Sequence, residues 1–220
     1  MGLVAALEWL GRPYRLCRVD MLGEMREPSY GRINPRHETP VLITDAGEPL
    51  TETMAIAAWL EARDEERRIS FPPLSREADR MHQLMAFINT GFTGAFSPLW
   101  AVLEMEDADP VVQTTLRDFG HRVVIERHDK LEGMIGQRPF LVGERPSLAD
   151  AILVGVARWR DVHEVADRER WPKLSALRAR LEGDPAVIHA TRLENGEPSP
   201  GTGALLGHVP LAEVIERFGR

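Results

Sequence analysis

The sequence predicts a chain of two structural classes, a small α/β domain followed by an all-α domain. In the first 63 residues, a helical pattern, a short alternating segment, a hairpin pattern and a second helical pattern follow one another. Every periodic segment after residue 75 has helical spacing. We therefore predict an α/β domain at residues 1–63, a linker at 64–75, an all-helical domain at 76–193 and a C-terminal extension at 194–220.

The elements of the α/β domain follow from local patterns. Apolar residues at helical spacing predict a helix over residues 2–10, which Gly11 and Pro13 end. Residues 14–19 alternate and predict a short strand, and residues 41–51 predict a β-hairpin. Apolar stripes predict the remaining helices over residues 53–63, 76–100, 110–135, 148–159 and 171–181, with a short final helix at 211–218.

Composition and charge exclude several classes of function. The net charge of -7 argues against nucleic-acid and anionic-membrane partners, because both need a basic surface. No apolar run approaches the ~20 residues that a membrane span requires. Cys17 is the single cysteine, so an internal disulfide is excluded, which suits a reducing cytoplasm. We therefore expect a cytoplasmic protein without a membrane or nucleic-acid partner.

Four motifs, in order, resemble those of one protein family. They are INPRHETPVL at residues 33–42, LTETMAIAAWL at 50–60, AFSPLW at 95–100 and RPFLVGERPSLAD at 138–150. They resemble the cis-proline loop, the start of the third helix, the fourth helix and the sixth-helix capping box of cytosolic glutathione S-transferases, especially the bacterial beta type. The resemblance extends to about residue 193. It implies a thioredoxin-like domain followed by a glutathione-transferase helical bundle, and it implies a homodimer.

The same resemblance implies a site for glutathione. Thr39 would pair through its backbone with the cysteinyl part, as an added strand does, and Pro40 would be cis. At a helix N-terminus, Thr53 would hold the γ-glutamyl carboxylate and Glu52 would pair the ammonium. His37, if protonated, would face the glycyl carboxylate. The alternative is an ordinary loop followed by an ordinary helix cap.

Aromatic residues at helical spacing are weaker candidates for a second subsite. Phe92, Phe96 and Trp100 form either a pocket for a hydrophobic electrophile, which Thr93 would also line, or a part of the core, and core is the commoner outcome for such a stripe. We interpret Ser147 and Asp150 as a structural capping box. Cys17 is interpreted as a small apolar residue. The histidines show no metal-ligand spacing, so we predict no metal site.

The chain departs from the family at its first helix. In the family a central strand and a loop with the sulfur-addressing Ser, Tyr or Cys precede this helix, whereas Met1 falls at the helix start here. Either the protein begins upstream of Met1, or the sheet is closed differently. In both cases the catalytic residue is unknown, and the strand at residues 14–19 needs another partner for its backbone groups.

Three further departures weaken the expected affinity for glutathione. Glu38 would repel the glycyl carboxylate, and Thr93 and Gly94 replace a His-Lys pair of the beta type. The leading hypothesis is an enzyme that conjugates the glutathione thiolate to a hydrophobic electrophile. The alternatives are a non-catalytic binding or scaffold protein of the same fold, and a glutathione-dependent dehalogenase, lyase or disulfide reductase.

Overall fold

The computed structural model describes residues 1–105 and 109–219, which divide into two compact units. Unit 1 combines Met1–Ile69 with the described part of Pro185–Arg220, and unit 2 is Ser70–Asp184. This division differs from the predicted boundaries. The C-terminal extension, together with the helix that precedes it, belongs to the α/β unit rather than following a helical domain that ends at residue 193.

Unit 1 contains four α-helices, four strands and two 3-10 turns among its described residues. The helices and strands are α1 (Gly2–Leu10), β1 (Tyr14–Leu16), β2 (Val41–Ile43), β3 (Pro49–Thr51), α2 (Thr53–Glu61), α9 (Pro185–Glu194), β4 (Leu205–His208) and α10 (Leu211–Phe218), and the 3-10 turns are Glu24–Arg26 and Pro28–Arg32. Gly11 ends α1 in the left-handed conformation at φ 68°, as the sequence predicts.

The strand predicted to need a partner finds it in the C-terminal extension. β1 pairs in parallel with β4, with Tyr14 opposite Leu205 and Leu16 opposite His208. The Tyr14 N–H donates to the Ala204 carbonyl at 3.0 Å. The predicted hairpin is present as β2 and β3, which pair antiparallel. The extension therefore supplies the hydrogen-bond partners for the backbone of β1 that could not be identified from the sequence.

Helix α10 packs on the segment between β1 and β2. Leu211 and Ile215 form one buried cluster with Tyr30 and Ile33. Cys17 lies half-buried against this cluster, and burial raises the pKa of its thiol. The cysteine thus contributes packing, as interpreted from the sequence, and the cluster joins the end of the chain to its first third.

A buried polar network also joins the extension to α1. The Glu8 side chain is fully buried, and its carboxylate accepts hydrogen bonds from Tyr14 Oη (2.7 Å) and from Thr202 N and Oγ1 (both 2.6 Å). His189 of α9 lies 3.2 Å from Tyr14 Oη and 2.8 Å from Ser199 Oγ. Burial raises the pKa of Glu8, but these hydrogen bonds and His189 outweigh it and hold that pKa below its ordinary value.

The predicted linker is packed rather than free. Asp64 is buried, and its carboxylate accepts from the N–H groups of Arg68 at 2.7 Å and Ile69 at 2.9 Å. Ile69 is fully buried in unit 1, and Phe71 is 8% exposed in unit 2. A polar segment is therefore ordered here by side chains that substitute for regular secondary structure.

The regular secondary structure of unit 2 is entirely helical among its described residues. Its elements are α3 (Arg76–Ala86), a π-helical segment (Phe87–Phe92), α4 (Ser97–Glu104), α5 (Pro110–Met134), α6 (Leu148–Ala157), α7 (Trp159–Val162), a 3-10 turn (Arg168–Arg170) and α8 (Pro172–Glu182). The single helix predicted over residues 76–100 is wrong, since the π-helical segment and the break before Ser97 divide it. No described helix is long and apolar enough to cross a membrane.

Ser147 and Asp150 form a capping box at the start of α6. The Asp150 carboxylate accepts from Ser147 N (2.9 Å), Ser147 Oγ (2.8 Å) and Leu141 N (3.0 Å). Burial raises the pKa of Asp150 to about 6, although the hydrogen bonds counteract it. The pair fixes the approach of the chain to α6, which is a structural role.

Candidate functional site

The structure brings four of the predicted site residues into one cleft of unit 1. The cleft encloses about 100 Å³ between the loop before β2 and the start of α2. Its lining comprises Asn34, Glu38, Thr39, Pro40, Glu52 and Thr53. The Thr39–Pro40 peptide bond is cis. The arrangement places a backbone edge beside a helix N-terminus.

On the loop side of the cleft, two side chains donate hydrogen bonds to one backbone carbonyl oxygen, that of Glu38. Tyr30 Oη donates to the Glu38 oxygen at 2.9 Å, and Asn34 Nδ2 donates to the same oxygen at 2.8 Å. In the trans Glu38–Thr39 peptide the N–H points opposite to the C=O. The Thr39 N–H is therefore turned away from Tyr30 and Asn34, and it hydrogen bonds to no group in the described chain.

The helix side of the cleft offers free donors. Glu52 is the N-cap residue of α2, with a left-handed φ of 69°, and no side chain of residues 1–105 or 109–219 caps this helix. The simple helix-cap alternative for Glu52 and Thr53 therefore does not describe this helix start. The first N–H groups of α2 and the helix dipole favour an anion beside Thr53.

Arg36 is a residue that the sequence analysis missed. Its Nε and Nη2 donate to the two Glu38 carboxylate oxygens at 3.0 and 3.2 Å, and Nε lies 3.5 Å from Glu52 Oε1. Hydrogen bonding to Glu38, together with both carboxylates, raises the pKa of Arg36. One guanidinium thus lies between the two acidic groups of the cleft and offsets one of their two negative charges, and its Nη1 edge points to no described partner.

The structure does not bring His37 into the cleft. Its backbone is left-handed at φ 54°, and its ring Nδ1 lies 2.8 Å from the Met25 carbonyl oxygen. The ring also approaches Tyr30, with centroids 6.2 Å apart. The side chain therefore fixes the loop to the Met25 segment, and the predicted contact of His37 with a glycyl carboxylate is not supported by this placement.

The aromatic candidates lie in unit 2. Phe92 and Phe96 are fully buried and pack on His128, with ring centroids 4.4 and 6.0 Å away. The Thr93 hydroxyl donates to the Ile88 carbonyl at 2.8 Å. Trp100 is partly buried, and its ring centroid lies 4.5 Å from that of His163. These placements favour the core interpretation, and the electrophile pocket stays a prediction.

The comparisons with known proteins agree with this architecture. Residues 2–63 match the family model of the glutathione S-transferase N-terminal domain, and residues 123–185 match that of the C-terminal domain. Together the two matches cover more than half of the chain.

Curated relatives match over most of their lengths. The glutathione S-transferase GstA of Escherichia coli O157:H7 is 26% identical over 186 residues, which are 84% of this chain and 88% of that protein. The maleylacetoacetate isomerase of Pseudomonas aeruginosa is 29% identical over 199 residues, covering 84% and 87%.

A solved structure is also similar in fold. The glutathione S-transferase of a sphingomonad, complexed with glutathione, superposes with a TM-score of 0.75 at 22% identity, covering 88% of this chain and 93% of that one. The two domain matches, the relatives and the shared fold agree, and the chain belongs to the glutathione S-transferase family.

Proposed function

We propose that this chain is a glutathione transferase-type enzyme whose cleft binds the peptide half of glutathione. The observation that carries the proposal is the convergence of Thr39, Pro40, Glu52 and Thr53 on one cleft beside an uncapped helix start. A similar fold is complexed with glutathione in the sphingomonad enzyme, which supports the choice of ligand.

The charges of the cleft match the charges of glutathione. The γ-glutamyl carboxylate would lie at the N-terminus of α2 beside Thr53, where free N–H groups favour an anion. The γ-glutamyl ammonium would pair with Glu52. The cysteinyl carbonyl would accept from the Thr39 N–H, which has no partner in the described chain. Arg36 would hold the glycyl carboxylate with its Nη1 edge while Nε and Nη2 stay on Glu38.

The proposed reaction is addition of the glutathione thiolate to a hydrophobic electrophile. With an aryl halide, a C–S bond forms, the halide leaves with the electron pair of its C–halogen bond, and the thiol proton goes to solvent. The thiolate is the reactive species, so a group that lowers the thiol pKa is required. Thr93 does not fill this role in the observed conformation, because its hydroxyl donates to Ile88.

A second candidate is a non-catalytic glutathione-binding protein of the same fold. Two observations favour it: the hydroxyl of Thr93 is occupied, and the Glu38 carboxylate adds negative charge beside the cleft. A homodimer remains a prediction from the family, and sedimentation of the purified chain tests it.

The experiment combines calorimetric titration with glutathione and a conjugation assay with an aryl halide. We expect Thr53→Ala and Glu52→Gln each to raise the glutathione Kd about tenfold, which corresponds to 1.4 kcal/mol. The matched control is Glu65→Gln, because Glu65 is also an exposed acidic residue of unit 1 but lies outside the cleft.

Each outcome distinguishes the candidates. Binding with conjugation supports the enzyme, whereas binding without conjugation supports the non-catalytic protein. Halide release without a stable conjugate, or reduction of a disulfide, supports the dehalogenase or reductase alternatives. No binding at millimolar glutathione, or an equal loss in Glu65→Gln, would contradict the proposed site.

A further inference from the structure

We propose that the C-terminal helix α10, acting through Tyr30, positions the backbone edge of the cleft that binds glutathione. Tyr30 and α10 are then positioning elements of the site, and the inference rests on the proposed function. The structure connects the two places by a short series of contacts, all of them within unit 1.

The first contact is between α10 and the Tyr30 ring. Leu211 and Ile215 are each 9% exposed, and they pack in one cluster with Tyr30, which is 1% exposed. Burial raises the pKa of Tyr30 to about 12, so its hydroxyl keeps the proton it donates at neutral pH. A ring enclosed in this way has little rotational freedom, and its hydroxyl points in one direction.

The second contact is between the Tyr30 hydroxyl and the loop. This hydroxyl and the Asn34 amide both donate to the Glu38 carbonyl oxygen, at 2.9 and 2.8 Å. Two donors on one oxygen fix the plane of the Glu38–Thr39 peptide. Because the peptide is trans, fixing its C=O also fixes the opposite direction of the Thr39 N–H, which is the donor proposed for the cysteinyl carbonyl.

The chain also connects α10 to the sheet. β4 pairs with β1, and α10 begins three residues after β4 ends. The position of α10 therefore depends on strand pairing, and the same extension that completes the β1 ladder supports the site. A substrate contact in the first fifth of the chain depends on packing by the last ten described residues.

The test compares two tyrosines that each bury a donating hydroxyl in unit 1. Tyr30 Oη donates to Glu38 at 2.9 Å, and Tyr14 Oη donates to Glu8 at 2.7 Å, away from the cleft lining. We expect Tyr30→Phe to raise the glutathione Kd, and the KM for glutathione where turnover is measurable, about five- to tenfold with kcat unchanged. Tyr14→Phe removes a comparable hydrogen bond but keeps the backbone pairing of β1 with β4 and both Thr202 bonds to Glu8, so α10 stays in place and the glutathione Kd should stay within twofold.

A second pair of variants tests α10 itself. Ile215→Ala loosens the packing on Tyr30, whereas Ile69→Ala creates a cavity at a fully buried position outside that cluster. The glutathione Kd should rise in Ile215→Ala and stay unchanged in Ile69→Ala, although both lower the melting temperature. The amide resonance of Thr39 in a ¹⁵N-labelled sample should shift in Tyr30→Phe and Ile215→Ala only.

The outcomes separate this inference from the function on which it rests. A wild-type chain that binds no glutathione contradicts the proposed function and, with it, the inference. Binding by the wild type with an unchanged Kd in Tyr30→Phe contradicts the positioning role alone. An equal rise of Kd in Tyr14→Phe also contradicts it, since general destabilisation would then explain the loss.

Discussion

Replacement of Glu8 by Ala should detach the C-terminal extension from α1. The Glu8 carboxylate accepts three hydrogen bonds in a fully buried position, one from Tyr14 and two from Thr202. Thr202 lies three residues before β4, so this contact fixes the entry of the extension into its pairing with β1. Loss of this buried carboxylate should therefore lower the free energy of unfolding more than loss of an exposed glutamate would.

The magnitude of the loss follows from these contacts. A hydrogen bond to a charged group contributes about 1.5–3 kcal/mol when buried, and the Tyr14 bond is of this kind. Loss of the two Thr202 bonds should cost less, because Thr202 is exposed and water can replace Glu8 as its acceptor. The Tyr14 hydroxyl can also turn to His189, whose ring nitrogen lies 3.2 Å away. The one lost methylene, Cγ, adds about 0.8 kcal/mol. We expect the free energy of unfolding to fall by about 3 kcal/mol.

The assay combines denaturant unfolding with hydrogen exchange. Glu8→Ala should speed exchange of the β1 and β4 amides, while the exposed Glu65→Ala changes the unfolding free energy by less than about 0.5 kcal/mol. Because folding lowers the pKa of Glu8, its carboxylate stabilises the fold fully above pH 4.5, the ordinary pKa of a glutamate. This stabilisation is lost as the pH falls through the lower pKa of the folded state. The difference between wild type and Glu8→Gln should therefore vanish in acid. Unchanged exchange in β4 would refute the reasoning.

Two further predictions concern unit 2. Gly120→Ala places a Cβ 2.6 Å from Leu99 Cδ2, so it should lower the unfolding free energy by about 1–3 kcal/mol in calorimetry, and Leu99→Ala in the same chain should restore part of it. The pKa of Asp150 rises from 3.8 to about 6 on folding, so the penalty for its charge is present above pH 6 and absent below pH 4. The stability of the wild type relative to Asp150→Asn should therefore increase by about 2 kcal/mol as the pH falls from 7 to 4, and a constant difference would contradict the assigned pKa.

Features that depend on neighbouring residues could be predicted from the sequence. The capping box of Ser147 and Asp150, the hairpin and the glycine that ends α1 each involve residues close in the chain. Four of the cleft residues could be predicted for a similar reason, because they lie within two short motifs: Thr39, Pro40, Glu52 and Thr53.

Features that depend on distant pairing could not be predicted. The pairing of β1 with β4 joins Tyr14 to Leu205, and the sequence between them carries no signal that selects this partner. The local pattern of the C-terminal extension at residues 194–220 therefore did not indicate that it would pair with β1. The placement of α9 in unit 1 has the same origin, since it follows from packing on α1 rather than from its own pattern.

The residues that support the cleft could also not be predicted from local sequence patterns. Tyr30 and Asn34 act on a backbone carbonyl, and a backbone acceptor has no residue-type signature. Arg36 could have been found, because an Arg two residues before a Glu can form a two-bond pair.

Titration of the ¹⁵N-labelled chain with glutathione tests the central claim most directly. The account predicts that the amide resonances of Thr39 and Thr53 shift and saturate with one common Kd, because both line the cleft. The amide resonance of Thr202, whose N–H donates to Glu8 in another part of unit 1, should not shift. Unmoved resonances of Thr39 and Thr53 at saturating glutathione would contradict the claim that this cleft binds the tripeptide.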